Sequence, residues 1–111
     1  MIEHYAFGEM QINGQKINHD LILSSAGIKD WWRNTSHEVS LNDLEPILAE
    51  KPKTIIFGTG ALGIMKILPE TEEYLEEQNI KVLIYKTAEA VKEFNSQLGE
   101  SGIVGAFHLT C

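Results

Sequence analysis

Thr54-Ile55-Ile56-Phe57, running directly into Gly58-Thr59-Gly60-Ala61-Leu62-Gly63, is the stretch on which the fold turns. A continuous apolar run with no polar face is the mark of a strand covered on both sides. Such strands pair in parallel through crossovers that lay helices on the sheet. The residues downstream supply those crossovers. Ile64 to Leu68 is a short apolar strand. Pro69 opens a helix, with Glu70, Glu72 and Glu73 at its positive N-terminal end, and Asn79 stops it. Lys81-Val82-Leu83-Ile84-Tyr85 is another buried strand. Thr87 is placed to cap a last helix whose inner face is Ala90, Val91, Phe94 and Leu98. Gly99 and Gly102 release the chain into a final strand, Ile103 to Leu109.

Upstream, Asn42 with Glu45 three residues on reads as a capping box, with Pro46 in the first turn. Leu44, Ile47 and Leu48 form the apolar stripe of that helix, and Lys51-Pro52 ends it. Earlier still, His4 to Gly8 reads as a strand. Met10-Gln11-Ile12 and Gln15-Lys16-Ile17 flank Asn13-Gly14, the signature of a two-residue hairpin turn. Asp20 to Ser24 is a third strand, broken at Gly27. Ile28 to Ser40 has no clean period and reads as an irregular excursion. The expectation is a single compact α/β domain over residues 1–111. Its mixed β-sheet has antiparallel N-terminal strands, parallel βα units and about three helices.

Composition narrows the function classes. The 111 residues carry a net charge of −7 with a pI near 5.0, and 43% are apolar. Both halves are acidic, so neither offers the basic patch that phosphate backbones demand. The expectation is no nucleic-acid partner and no membrane partner. No apolar run approaches the roughly 20 residues a membrane span needs. Cys111 is the one cysteine, which fits a reducing compartment. Met-Ile-Glu-His-Tyr lacks the basic start and apolar stretch of a secretory signal. A cytoplasmic protein, monomeric or weakly self-associating, is expected.

Three groups of residues invite chemistry. Gly58-x-Gly60-x-x-Gly63 after a buried strand has the spelling of a dinucleotide fingerprint. That fingerprint needs its third glycine at a helix start, whereas here Pro69 opens the helix well beyond it. A tight turn, or a small anion nest of backbone amides, are the other readings. Asp30-Trp31-Trp32-Arg33 with His37 is the second group. In an extended segment the two indoles point to opposite sides, so one enters the core and one stays exposed. An exposed Trp beside an Arg has the composition of an interface hot spot. Alternatively both indoles cover the sheet edge and Arg33 pairs with Asp30 or a nearby Glu. Arg33 is the only arginine, so any bidentate grip on a carboxylate or phosphate falls to it. The third group is His108-Leu109-Thr110-Cys111. His-x-x-Cys suggests zinc, but residues three apart on a strand face opposite sides. No metal or other cofactor is expected.

Asp-Trp-Trp-Arg with a following His, the Ile-Ile-Phe-Gly-Thr-Gly corner, Thr-Ala-Glu-Ala-Val-Lys-Glu-Phe-Asn (Thr87 to Asn95) and the closing His-Leu-Thr-Cys resemble the Mth-domain family, in the same motif order. The resemblance implies one α/β domain with a mixed central sheet. It brings no established reaction, and the family's eukaryotic members are described as assembly or regulatory factors. Thr59 stands where an animal member has an arginine. Carried over, the motif positions are Trp31, Trp32, Arg33, His37, Gly58, Thr59, Gly60, His108, Thr110 and Cys111. We expect several of them to converge, with Arg33 neutralising the Cys111 carboxylate as an internal lock. The expected function is a non-catalytic interaction or assembly-factor-like module with a protein partner. The alternative is a protein binding a small molecule or anion, an unrecognised enzyme included, with its pocket at Gly58–Gly63, Arg33 and the last four residues.

Overall fold

A computed structural model describes residues Met1–Cys111. The chain begins with strands β1 (Ile2–Ala6), β2 (Glu9–Ile12) and β3 (Gln15–Ile17), which form a small antiparallel sheet in that order. Asn13 and Gly14 carry φ values of 49° and 82° between β2 and β3, the two positive angles a type I′ turn requires. Strands β4 (Leu21–Ser24), β5 (Gly27–Asp30) and β6 (Glu38–Val39) follow. A 3-10 turn at Leu41–Leu44 then leads into helix α1 (Glu45–Leu48). Next come β7 (Thr54–Thr59), β8 (Lys66–Ile67), α2 (Pro69–Glu77), β9 (Lys81–Tyr85), α3 (Thr87–Ser96) and β10 (Ile103–His108).

The main sheet has the order β5-β4-β10-β7-β9. Strands β10, β7 and β9 run parallel, while β4 is antiparallel to both β10 and β5. Side-chain alternation along these strands sorts the core into two halves. Leu21, Leu23, Ile56 and Phe107 pack with Met10 and Ile12 of the small sheet and Ala90 and Phe94 of α3. Ile22, Ile55, Phe57, Val104 and Ala106 face the other way, against Leu44, Ile47 and Leu75. The domain is therefore α/β, with a mixed sheet covered on one face by the β1–β3 sheet and α3, and on the other by α1 and α2. No helix is long and apolar enough to cross a membrane.

Six local expectations need correction. Lys81–Tyr85 is a strand but not a buried one, because β9 is an edge of the main sheet and Ile84 faces solvent. Leu98, expected on the inner face of the last helix, lies past the end of α3 and is exposed. The span Ile28 to Ser40 is not wholly irregular. Gly27, with φ of 120°, starts β5 as the return arm of a hairpin, and β6 pairs in parallel with β8. Four- and two-residue strands are too short to show a period. The capping interaction before α1 belongs to Ser40 and not to Asn42: the Asp43 carboxylate accepts from Ser40 N–H at 2.8 Å and from Ser40 Oγ at 2.9 Å. Strand β7 runs on through Gly58 and Thr59, so Gly58 lies inside the sheet, ahead of the loop. Thr87 is the first residue of α3, and its hydroxyl is spent elsewhere, on strand β10 and the glycine corner.

Gly58 and Gly105 show why the central strands carry glycines. A Cβ on Gly105 would lie 2.5 Å from the Phe107 ring and 3.1 Å from the Phe94 ring; one on Gly58 would lie 2.8 Å from Phe107. The two glycines make the space that the Phe107 ring occupies, edge-on to Phe94 at a centroid distance of 5.9 Å. Overpacking at such a site costs about 1–3 kcal/mol. Gly105→Ala is accordingly expected to lower the unfolding free energy by that amount, seen in equilibrium unfolding as a lower urea midpoint with an unchanged m-value. An unaltered midpoint would mean that the aromatic pair is not confined as described.

Candidate functional site

The carboxyl ends of β7 and β10 are where an open α/β sheet presents its loops, and the chain brings most of the motif residues there. Register places Leu21 opposite Phe107, so Asp20, just before β4, stands beside the end of β10. Asp20 Oδ1 accepts the Leu109 N–H at 2.8 Å. Oδ2 accepts from His108 Nδ1 at 2.7 Å and from Arg33 Nη2 at 2.8 Å. This contact puts a proton on His108 Nδ1 and leaves Nε2 with the free lone pair in the neutral ring. Burial alone raises the Asp20 pKa. The hydrogen bonds from His108, the Leu109 amide and Arg33 outweigh it, and the carboxyl titrates below its ordinary range.

Arg33 reaches this carboxylate from the segment after β5. Its side chain is 3% exposed. Nη2 also donates to the Ser36 carbonyl at 2.6 Å, and the guanidinium lies over the Trp31 ring, 4.5 Å from its centroid. Trp31 is buried against Phe57 and donates its indole N–H to the Asp43 carbonyl at 3.1 Å. Trp32, next in the chain, is 77% exposed. One indole is thus a core residue and its neighbour projects outward, as period-2 geometry requires. His37 is exposed, with its ring edge-on to His108 at 5.7 Å. A shallow cleft of about 250 Å³ is lined by His19, Asp20, Trp31, Trp32, Arg33 and Ser36. A larger one, about 740 Å³, opens at the other end of β10, around Leu23, Ile28, Phe94 and Ile103.

The glycine corner is filled by the chain itself. Ala61 N–H donates to the Thr110 carbonyl at 2.6 Å, and Ile64 N–H donates to the Cys111 oxygen at 3.0 Å. Gly60 N–H donates to Thr87 Oγ1 at 2.8 Å, and that hydroxyl donates to the His108 carbonyl at 2.6 Å. Gly60 has φ of 100°, and a Cβ there would lie 2.3 Å from the Cys111 backbone. Only glycine lets the last residues lie so close. Thr59 is buried, its hydroxyl donating to the Tyr85 carbonyl at 3.0 Å. The amides of Gly60, Ala61 and Ile64 already hold oxygens of Thr87, Thr110 and Cys111, so they form no open nest for an anion.

Arg33 does not meet the Cys111 carboxylate. Its partner is Asp20, because the carboxylate and the guanidinium meet at the same edge of His108, beside Nδ1, while Cys111 turns away to the glycine corner. Asp20 is the residue that sequence reasoning missed. An acid directly before the apolar run Leu21-Ile22-Leu23 was the available signal, since a charge at a buried strand's start must find partners. Chemically, His108 is held by an acid as a general base would be. Its side chain is only 4% exposed, however, and the nearby hydroxyl, Thr110 Oγ1, stands 3.5 Å from Nε2. The arrangement is a buried clamp. No group of three or more His, Cys, Asp or Glu side chains converges as it would around a metal ion.

A family model described as a protein of unknown function (DUF498/DUF598) matches residues 2–109. A conserved hypothetical protein of Pyrococcus horikoshii OT3 superposes with a TM-score of 0.91 at 29% identity, covering 100% of this chain and 99% of that one. A structure titled MT938 gives 0.82 at 22% identity, covering 100% and 98%. A Mth938-like domain of Bordetella pertussis gives 0.78 at 15% identity, covering 97% and 84%. The last two likenesses are of fold alone, and they agree with the Mth-domain resemblance in the motifs.

Because the Asp20 pKa is lower folded than unfolded, the clamp's contribution is fully present above the unfolded value of about 3.9 and is lost as pH falls through the folded value. Asp20→Asn keeps the shape but strands a buried cation, and is expected to cost about 3 kcal/mol near pH 7. The variant should also lack much of the wild type's loss of stability below pH 4. Urea midpoints measured from pH 7 down to pH 2 check both; parallel curves for the two proteins would contradict the assignment.

Proposed function

We propose a recognition role for this chain, which belongs to the DUF498/DUF598 family of proteins of unknown function: a non-catalytic module that docks a protein partner through the rim around Trp32. The observation that carries this reading is the exposure of Trp32, at 77%, on a segment fixed on both sides of it. Trp31 is held by Asp43 and Phe57, and Arg33 by Asp20 and Ser36. An indole held outward on an ordered segment loses little conformational freedom on binding, and Trp is among the residues that dominate interface energetics. Its neighbours are a stacked arginine and a cleft, which give a partner both apolar area and a polar register. The lone cysteine fits a reducing, cytoplasmic setting.

The alternative pocket at Gly58–Gly63 receives less support, because its amides are engaged by Thr110, Cys111 and Thr87. A hydrolytic role for His108 is likewise weakly supported, given the ring's burial beneath Thr110.

Trp32→Ala is expected to leave stability within about 0.5 kcal/mol of wild type, as surface substitutions do. In pull-downs from the source cells it should lose the recovered partner at least tenfold. Leu62→Ala, which removes another exposed apolar side chain (64% exposed), should keep it. Equal recovery with all three proteins would sink the reading.

A further inference from the structure

We propose that the part of the Arg33 guanidinium left free by Asp20 is a subsite for a carboxylate, presented by an acidic side chain of the protein partner. The inference rests on the reading of the Trp32 rim as a docking surface and names the chemistry that the rim recognises.

A guanidinium carries only donors, and its burial strips away their hydration. Nη2 is fully used, by Asp20 Oδ2 and the Ser36 carbonyl. Nε and Nη1 are buried with no acceptor at all. Trp31 offers the face of the cation a π surface, but a π surface beneath the plane takes no in-plane N–H. Donors in this condition are rare in folded proteins and mark a place where an oxygen belongs. The cleft of about 250 Å³ adjoins them, between Trp32 and Ser36.

A carboxylate suits the place. It is acceptor-only when ionised and makes short charge-assisted bonds to guanidinium N–H groups. Asp20 engages Arg33 through a single oxygen on a single nitrogen, so the cation is only partly neutralised. A phosphate dianion suits it less well, because Arg33 is the only arginine and no lysine lines the cleft. The partner is the source favoured over a free carboxylate for one reason. Trp32 extends the contact outward, and a small free acid would leave that surface unused. The unpaired nitrogens are shut from water in the free protein, so admission requires a side-chain shift at the rim, the kind of rotamer change common on binding.

One arginine in the chain means one arginine Nε–H signal in a proton–nitrogen correlation spectrum. The full chain is titrated at constant ionic strength with sodium acetate, with a short capped peptide carrying Glu beside an aromatic residue, with inorganic phosphate and with sodium chloride. The Nε–H signal is expected to move saturably with acetate and with the peptide, at least tenfold tighter for the peptide, and not with chloride. Arg33→Lys keeps a cation for Asp20 but lacks the planar donors; followed through the backbone amide signals of Trp32 and Leu109, which are also recorded for the wild type, it should bind both ligands at least tenfold more weakly. Trp32→Ala should weaken the peptide and spare acetate. Should Arg33→Lys fail to fold, the wild-type titration decides by itself. Equal affinity for acetate and peptide would overturn the partner as source in favour of a free carboxylate. A response to phosphate that exceeds the response to acetate, or no saturable shift with either carboxylate, would overturn the subsite. The subsite's failure would leave Trp32-dependent partner recovery standing, so the two readings fail separately.

Discussion

One carboxylate, Asp20, ties together three stretches of chain that are distant in sequence. It accepts from the Leu109 amide, the His108 imidazole and the Arg33 guanidinium. Each donor fixes something different. The amide continues the hydrogen bonding of β10 past its last paired residue. The imidazole holds the end of that strand against β4. The guanidinium pulls in the segment after β5, and with it the pair of indoles. Without this anion, the buried Arg33 cation would have no counter-charge and the His108 Nδ1–H no acceptor, an arrangement several kcal/mol less stable. Trp31 entering the core and Trp32 leaving it depend on that anchoring as much as on strand geometry.

A second constraint lies at the glycine corner. The loop after β7 looks from its spelling like a cradle for phosphate, yet its amides hold the carbonyl oxygens of the chain's own last residues. Gly60 permits that approach by lacking a Cβ, and Gly58 serves the packing of Phe107 within the sheet. The same three letters that signal a cofactor in one context serve close packing in another. The deciding difference is where the following helix begins: here Pro69 opens α2 only after the intervening strand β8. Thr87 joins both constraints, with one hydroxyl donating to the His108 carbonyl and accepting from Gly60.

Much of the fold was legible because its signals are local. Asn13-Gly14 turns where its positive φ angles require, Lys81–Tyr85 is a strand at the expected boundaries, and Pro69 opens a helix. What was illegible is pairing over long separations. Nothing near Asp20 to Ser24 says that β4 leaves the β1–β3 sheet to lie antiparallel to β10, since that choice is made by the two-sided burial of Leu21, Ile22 and Leu23. The same blindness misassigned the partner of Arg33. From sequence, the chain's end was a reasonable anion; Asp20 became visible only once the register of β4 against β10 was known. The motif residues did gather at one end of the sheet, apart from Trp32, which faces solvent beside them.

The central claim is that Asp20 and Arg33 act as one unit, and a double-mutant cycle measures that directly. Unfolding free energies at pH 7 would be taken for the wild type, Asp20→Asn, Arg33→Met and the double variant. Residues in one buried network couple by about 0.5–3 kcal/mol. The account predicts a coupling of at least about 1 kcal/mol, with the double variant more stable than the two single losses would sum to. Losses that add to within about 0.5 kcal/mol would show that the two side chains stabilise the domain independently, and the clamp would not be what holds this end of the sheet together.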